Sequence, residues 1–135
     1  MSKLIISKRK LNGIMILDLQ GGIRLGEENA YLHNTIRSLV SAGEKKVLLN
    51  LGQVTKIDSS GMGELIAAWT TLQKSGGEVR LLNLTHSVEE LMLMTKLLTV
   101  FDTYENEADA LASFTAKTTN PLDAGIWKDA EVSFS

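Results

Sequence analysis

The sequence predicts an α/β fold on a small, mixed and mostly parallel β-sheet. Short apolar runs bounded by turn residues alternate with segments whose apolar residues recur at helical spacing. Strands that alternate with helices in this way are expected to be parallel neighbours, because each helix returns the chain to the edge where it started. The predicted order of elements is β-β-α-β-α-β-α-β-α.

The first two strands are predicted to form a hairpin. Leu4–Leu11 is rich in β-forming residues, and Asn12-Gly13 is a favoured two-residue turn. Ile14–Leu17 then resumes the strand and is apolar at every position. Such a run is typical of a central strand that is covered on both faces, or on one face and by a partner.

A glycine-rich break at 21–26 precedes the first helix, which is predicted from about Glu27 to Ala42-Gly43. Acidic residues in its first turn suit the helix dipole, and glycine commonly follows the end of a helix. The apolar run Lys46–Leu51 predicts a buried strand. The residues at 52–58 are predicted to form a loop.

The second half of the chain repeats this alternation. A helix is predicted from about Ser60 to Ser75, because its apolar residues recur at helical spacing and two glycines follow it. Glu78–Leu84 is the next predicted strand. Ser87 and Glu90 have the spacing of a capping box, which predicts the start of a third helix.

The last predicted elements are a strand at Leu98–Tyr104 and a helix from Asn106 through Phe114. We expect one domain over 1–117 and a C-terminal tail over 118–135, which contains the single proline, Pro121. The apolar residues of this tail are expected either to pack back onto the domain or to dock on a partner.

Composition and charge exclude several classes of function. The chain has 135 residues, 44% of them hydrophobic and 22% charged, which fits one globular domain. The absence of cysteine excludes thiolate metal sites and cysteine nucleophiles. The residues up to 117 hold 13 basic and 13 acidic side chains, so we expect no nucleic acid partner. No segment resembles a signal peptide or a membrane span, and the cytoplasm is the expected location.

The sequence contains little that predicts an enzyme. Only His33 and His86 could act as a base near neutral pH, and both are expected to be surface or capping residues. There is no G-x-S-x-G elbow, dinucleotide fingerprint or P-loop, although a Ser-His-acid arrangement could still assemble in space. We therefore predict a protein that is not an enzyme and needs no cofactor or metal.

The segment that does predict a site runs from Lys56 to Leu65, between a buried strand and a helix. Ligands of α/β sheets usually bind at this edge, and a helix start favours anions. In the simplest interpretation, Ser59 or Ser60 is only the N-cap of the helix. In the functional interpretation, one of these serines accepts a phosphoryl group, which would place about −1.5 to −2 charge at the positive end of the helix.

The residues after the serines are predicted to form a contact surface for another protein. Gly61 and Gly63 have no side chain, so a partner's backbone could approach them closely. Met62 would be an adaptable apolar contact beside the serines unless it belongs to the core.

The segment K-V-L-L-N-L-G-Q-V-T-K-I-D-S-S-G-M-G-E-L resembles STAS-domain proteins, in particular the single-domain anti-sigma factor antagonists of bacteria. The resemblance continues through G-G-E-V-R-L-L-N-L-T and L-L-T-V-F-D-T-Y-E-N-E-A-D-A-L-A-S-F, and it covers about residues 3 to 115. It implies the STAS fold, a small sheet with helices packed on one side.

The resemblance also implies a partner switch. In this family the unphosphorylated antagonist binds a serine-kinase anti-sigma factor, which then releases its sigma factor. The kinase phosphorylates the first serine after the aspartate, and a PP2C-type phosphatase reverses the modification. In this sequence the phosphoacceptor is Ser59. The implied kinase interface comprises Asp58, Ser60, Gly61 and Met62, with Gly63 and Glu64 close by.

One residue departs from the family pattern. Many antagonists carry an acidic residue in the loop after the second strand, where this chain has Arg24. Arg24 is expected to attract phosphate, to meet a partner of different charge, or to be only a solvated loop residue. The resemblance therefore also allows a STAS subunit of an ABC-type lipid transporter or of a stressosome-like regulatory complex. An enzyme or a nucleotide-binding protein is the remaining alternative.

Overall fold

The secondary structure follows the predicted order in a computed structural model that describes residues 4–24 and 26–118. The elements are β1 (Ile5–Leu11), β2 (Ile14–Ile23), α1 (Glu27–Ser41), β3 (Lys46–Ile57), α2 (Ser59–Lys74), β4 (Glu78–Leu82), α3 (His86–Met94), β5 (Asp102–Tyr104) and α4 (Glu107–Thr118). The predicted domain boundary at 117 stays a prediction. Apart from Thr118, the predicted tail lies outside the described residues.

The strands form one sheet in the order β1-β2-β3-β4-β5, with β1 antiparallel to β2 and the other neighbours parallel. The predicted α/β class and mostly parallel sheet are confirmed. Asn12 and Gly13 have φ angles of 53° and 78°, and Leu11 pairs with Ile14. Positive φ at both central residues is typical of a type I′ turn, so the predicted hairpin is also confirmed.

β2 and β3 are longer than predicted, and this extension positions the candidate site. The predicted break at Gly21-Gly22 and the predicted loop at 52–58 are wrong, because both segments continue as paired strands. The parallel pairing reaches Ile23 and Ile57, whereas the pairing of β3 with β4 ends at Asn50. β2 and β3 therefore project beyond the rest of the sheet. The hydrogen bonds between these two strands outweigh the weak strand preference of the glycines at 21 and 22.

The helices cover both faces of the sheet. The core between the sheet and α1, α2 and α3 contains the larger group of buried apolar side chains, such as Leu17, Leu49 and Leu81. Ala110 and Phe114 of α4 lie on the opposite face, in a smaller cluster whose strand residues are Ile14, Ile16, Leu48 and Leu82. The expectation that the helices pack on one side is thus met by α1–α3 and is wrong for α4. The reason is that β2 to β4 carry apolar residues on both faces, and both must be covered.

Several element ends differ from the prediction around α3. The capping box is wrong, because the helix begins at His86 and, among the described residues, the N-cap Thr85 accepts no capping hydrogen bond through its side chain. β4 ends at Leu82 because Asn83 turns the chain with a φ of 57°. β5 is only three residues long. The predicted start of α4 is confirmed, since the Asp109 N–H donates to Asn106 Oδ1 at 3.1 Å.

Candidate functional site

A single residue, Asp58, connects the end of β3 to the start of α2, and its side chain caps the helix. The Gly61 N–H donates to Asp58 Oδ1 at 2.9 Å, and the Met62 N–H donates to the Asp58 carbonyl at 2.9 Å. The simplest sequence interpretation, in which Ser59 or Ser60 is the N-cap, is therefore wrong. The helix start is held by the carboxylate, so it does not depend on the Ser59 hydroxyl.

The two serines occupy the first positions of α2, with Ser59 exposed and Ser60 half-buried. The backbone N–H groups of a first helical turn carry a partial positive charge. Acidic residues occupy the first turns of α3 and α4, but the first turn of α2 contains none. The Ser59 side chain is therefore an accessible hydroxyl at the positive end of a helix where the one acidic group is the capping Asp58 carboxylate and the first turn itself adds none.

Gly61 holds α2 against the end of β2. A Cβ added at Gly61 would stand 2.0 Å from the Ile23 carbonyl oxygen, which also accepts the Asp58 N–H at 3.3 Å. Gly61 is buried, so it is the packing inside the protein that requires a residue without a side chain at this position. This contact replaces the predicted reason for the glycine, which was close approach by a partner.

Met62 lies in the core and not on the surface. Its side chain is 2% exposed and belongs to the larger cluster beneath α1–α3. The prediction that Met62 contacts a partner directly is therefore wrong. The alternative left open from the sequence, that Met62 belongs to the core, is correct. The residue nevertheless fixes the position of the first turn of α2, because large buried side chains anchor an element in close-packed surroundings.

Gly63 and Glu64 lie on the outer side of the same turn. Gly63 is exposed, and no described heavy atom stands within 4 Å of the position that its Cβ would take. Glu64 Oε1 lies 2.7 Å from His33 Nδ1, and this pair joins α2 to α1. The pairing was missed from the sequence, since it depends on how two helices pack and leaves no local signal.

The structure brings Arg24 to the same edge of the sheet. Ile23 pairs with Ile57, so the residues that follow them, Arg24 and Asp58, leave adjacent strands side by side. Arg24 is half-buried, and its Nε lies 3.2 Å from the position that a Cβ of Gly22 would occupy. The predicted site residues at the surface are therefore Arg24, Asp58, Ser59, Ser60 and Gly63, whereas Gly61 and Met62 support them from within.

Among the described residues, no helix is long and apolar enough to cross a membrane. No group of three or more histidine, aspartate and glutamate side chains in the same part of the chain could hold a metal ion.

The site is thus an exposed serine at a capped helix start, on a small α/β domain. The STAS domain model matches residues 6–110, and the chain therefore belongs to the STAS domain family. It is 29% identical over 105 residues to a Bordetella bronchiseptica protein named "Putative anti-sigma factor antagonist BtrV". That match covers 78% of this chain and 90% of the relative.

Solved structures give the same fold. An anti-sigma factor antagonist from Mycobacterium paratuberculosis superposes with a TM-score of 0.70 at 20% identity, over 82% of this chain and 93% of that one. The Bacillus cell fate determinant SpoIIAA in its phosphorylated form superposes with a TM-score of 0.66 at 16% identity, over 82% of this chain and 99% of that one. At these identities the similarity shows the STAS fold alone.

Proposed function

We propose that this protein is an anti-sigma factor antagonist that works in the cytoplasm as a phosphorylation-controlled partner switch. In its unphosphorylated form it binds a serine-kinase anti-sigma factor, which then releases its sigma factor. The kinase transfers the γ-phosphoryl group of ATP to Ser59 Oγ, with release of ADP and a proton. A PP2C-type phosphatase hydrolyses the phosphoserine to serine and inorganic phosphate. The relative named as an antagonist, which aligns over most of both chains, supports this proposal.

The observation that carries the proposal is that Asp58 and Ser59 have different roles at the start of α2. The Asp58 carboxylate caps α2, whereas the exposed Ser59 hydroxyl stands at the helix start without being needed there. A phosphoryl group on Ser59 would meet the partial positive charge of the helix, so the fold can hold it. The modification therefore changes the surface charge and leaves the domain folded.

The same added charge would weaken partner binding. A phosphoryl group adds about −1.5 to −2 charge and three acceptor oxygens to the exposed side of the helix start. A partner that packs against Ser59 and Gly63 in the unphosphorylated form would have to bury this charge or meet it with its own. Like-charge contacts and unpaired buried charges cost several kcal/mol at protein interfaces. The domain itself thus acts as a binding protein, and the partner supplies the catalysis.

Arg24 gives this surface a positive charge at the position where many antagonists carry an acid. Arg24 leaves β2 beside Asp58, and its guanidinium lies over Gly22. A partner that covers Ser59 and extends across this edge of the sheet toward β2 would also meet that charge. We infer that the cognate kinase presents an acidic residue at this point. Arg24→Glu should therefore reduce retention of the kinase more than Arg24→Gln does, since the first change reverses the charge and the second only removes it.

The experiment that tests the proposal is affinity capture from a lysate of the source organism, with wild type, Ser59→Ala and Ser59→Asp as baits. We expect wild type and Ser59→Ala to retain the same serine kinase, identified by mass spectrometry, and Ser59→Asp to lose it. Ser87→Asp is the matched control, because Ser87 is an exposed serine in the first turn of another helix, α3. That control should retain the kinase.

Two results of the capture would contradict the proposal. Equal retention of a transporter ATPase by all four baits, without a kinase, would indicate a STAS subunit of a lipid transporter and would leave Ser59 without a switching role. Recovery of the protein only inside a large assembly of STAS proteins would indicate a stressosome-like complex. In either case the kinase assignment fails.

A further inference from the structure

The part of β3 that extends past β4 has one open edge. β3 pairs with β4 only as far as Asn50, opposite Leu82, whereas its pairing with β2 continues to Ile57. Within the described part of the chain, the residues at 51–57 form no backbone hydrogen bond on the side of β4. A strand edge of this kind presents N–H and C=O groups to which another strand can bond.

A polar groove with a volume of about 470 Å³ lies at the start of this open edge. Gly52 and Gln53 line the groove on β3, and the segment 83–85 lines it where the chain leaves β4. Glu105, the residue after β5, lines it as well. The groove therefore occupies the place next to β3 that a longer β4 would fill, and it is called the β3 groove below.

Local chemistry keeps the β3 groove open. Asn83 has a φ of 57°, which ends β4, and its N–H donates to the Tyr104 carbonyl at 2.8 Å, toward β5 and away from β3. A Cβ added at Gly52 would stand 3.2 Å from Asn83 Cβ, so a side chain there would crowd the entrance. The Gly52 N–H already donates to Asn50 Oδ1 at 3.1 Å. The edge that remains for a partner is thus 53–57.

The side chains of the β3 groove suit a peptide that carries a positive charge. Gln53 is exposed, and its amide can both donate and accept hydrogen bonds. The Thr85 hydroxyl has no hydrogen-bond partner among the described residues, and a peptide group in the groove would supply one once this side chain rotates. Glu105 is exposed and forms no ion pair within the described part of the chain. A lysine or arginine of the peptide would complement this carboxylate.

We propose that the open edge of β3 at 53–57 is a docking site for an extended segment of a partner protein. The segment adds to the sheet as a further strand, lies in the β3 groove and places a lysine or arginine against Glu105. Backbone hydrogen bonds give the contact its affinity, and the groove selects the side chains. Five strand positions extend over about 17 Å, and this contact does not depend on modification of Ser59.

The probe for this site is a library of random octapeptides displayed on phage, selected on the immobilised full-length protein. We expect the selected peptides to share a lysine or arginine and to be rich in β-branched residues, which favour strands. A selected peptide is then synthesised and added to nitrogen-15-labelled protein. Its binding should slow hydrogen exchange of the backbone amides at 53–57 by about 10-fold or more, because they become part of a paired strand.

N-methylation of the peptide tests strand pairing directly. In an added strand the N–H groups alternate in direction, so only every second one faces β3. A methyl group at such a position removes one hydrogen bond and should weaken binding by about 10-fold, whereas a methyl group at the positions between should have little effect.

Glu105→Gln tests the charge contact and should weaken peptide binding by about three-fold. Glu89→Gln is the matched control, because Glu89 is an exposed acid in the first turn of α3 that does not line the β3 groove. It should leave binding unchanged, and thermal unfolding verifies that both variants are folded.

Four results would overturn the proposal. These are the absence of any selected peptide, protection by the peptide away from 53–57, and N-methylation effects that do not alternate along the peptide. The fourth is slow exchange at 53–57 without peptide that is lost on dilution, since a second copy of the chain would then occupy the edge.

Discussion

Gly61 and Gly63 are separated by one residue at the start of α2, but they face different surroundings. A Cβ at Gly61 would stand 2.0 Å from the Ile23 carbonyl oxygen, whereas at Gly63 it would have no described heavy atom within 4 Å. The first glycine is required by the contact between α2 and β2. The second lies at the surface beside Ser59.

The same division separates the other residues of the segment. Gly61 and Met62 face the protein interior and position the helix start, whereas Ser59 and Gly63 face solvent and are available to a partner. A run of small and polar residues that looks uniform in the sequence thus has a buried side and an exposed side. Substitutions on its two sides are expected to affect different quantities, the free energy of unfolding on one side and partner binding on the other.

The largest expected effect is that of Gly61→Ala. Alanine is favoured over glycine in a helix by about 1 kcal/mol, yet here we expect destabilisation by at least about 3 kcal/mol, because the new Cβ meets the Ile23 carbonyl. Urea unfolding measures the difference. Unchanged or increased stability would mean that α2 does not pack against the end of β2 as described.

Met62→Ala should have the next largest effect. Truncation of a buried methionine leaves a cavity and costs about 2–5 kcal/mol. Met62→Leu, which keeps the volume, should cost less than about 1.5 kcal/mol. Binding of the folded Met62→Leu protein to the captured kinase, measured by calorimetry, should equal that of wild type. A loss of affinity at unchanged stability would place Met62 in the interface after all.

Asp58→Ala should destabilise the protein by about 1 kcal/mol, because the Gly61 N–H loses its capping acceptor. Asp58→Asn keeps a side-chain oxygen at the cap and should cost only a few tenths of a kcal/mol. Chemical denaturation of the two variants separates the contribution of the capping hydrogen bond to stability from that of the negative charge. Equal losses would show that the negative charge and not the hydrogen bond matters.

Gly63→Ala should have a small effect on stability, opposite in sign to that of Gly61→Ala. We expect a gain of about 0.5–1 kcal/mol, since the position is open and alanine is the better helix former. Kinase binding should weaken, because the added methyl group stands where the partner approaches. If the variant binds as tightly as wild type, Gly63 lies outside the interface.

Much of the fold could be predicted from the sequence, since apolar periodicity and turn residues mark the elements. The hairpin at Asn12-Gly13 and the start of α4 at Asn106 are examples, because each depends on local chemistry. The extension of β2 could not be predicted this way, because Gly21-Gly22 has weak strand preference and continues as a strand through the pairing of Gly22 with Lys56. The extension of β3 did leave a local signal, since Val54, Thr55 and Ile57 are β-branched.

The candidate site could be located from the sequence but not resolved into its parts. The position of the helix start after a buried strand was evident, and the structure confirms it at Ser59. Which residue caps the helix, and which of Gly61, Met62 and Gly63 are buried, depends on how α2 meets Ile23 across the sheet edge. The pairing of His33 with Glu64 likewise exists only once α1 and α2 pack together.

The measurement that tests the central claim most directly is a calorimetric titration of the captured kinase with two forms of this protein, one unmodified and one phosphorylated at Ser59 alone. We predict that phosphorylation lowers the affinity by about 100-fold, or about 2.7 kcal/mol, and leaves the thermal unfolding of the protein within a few degrees of the unmodified form. Equal affinities of the two forms would contradict the account, and Ser59 would then be only the first residue of α2.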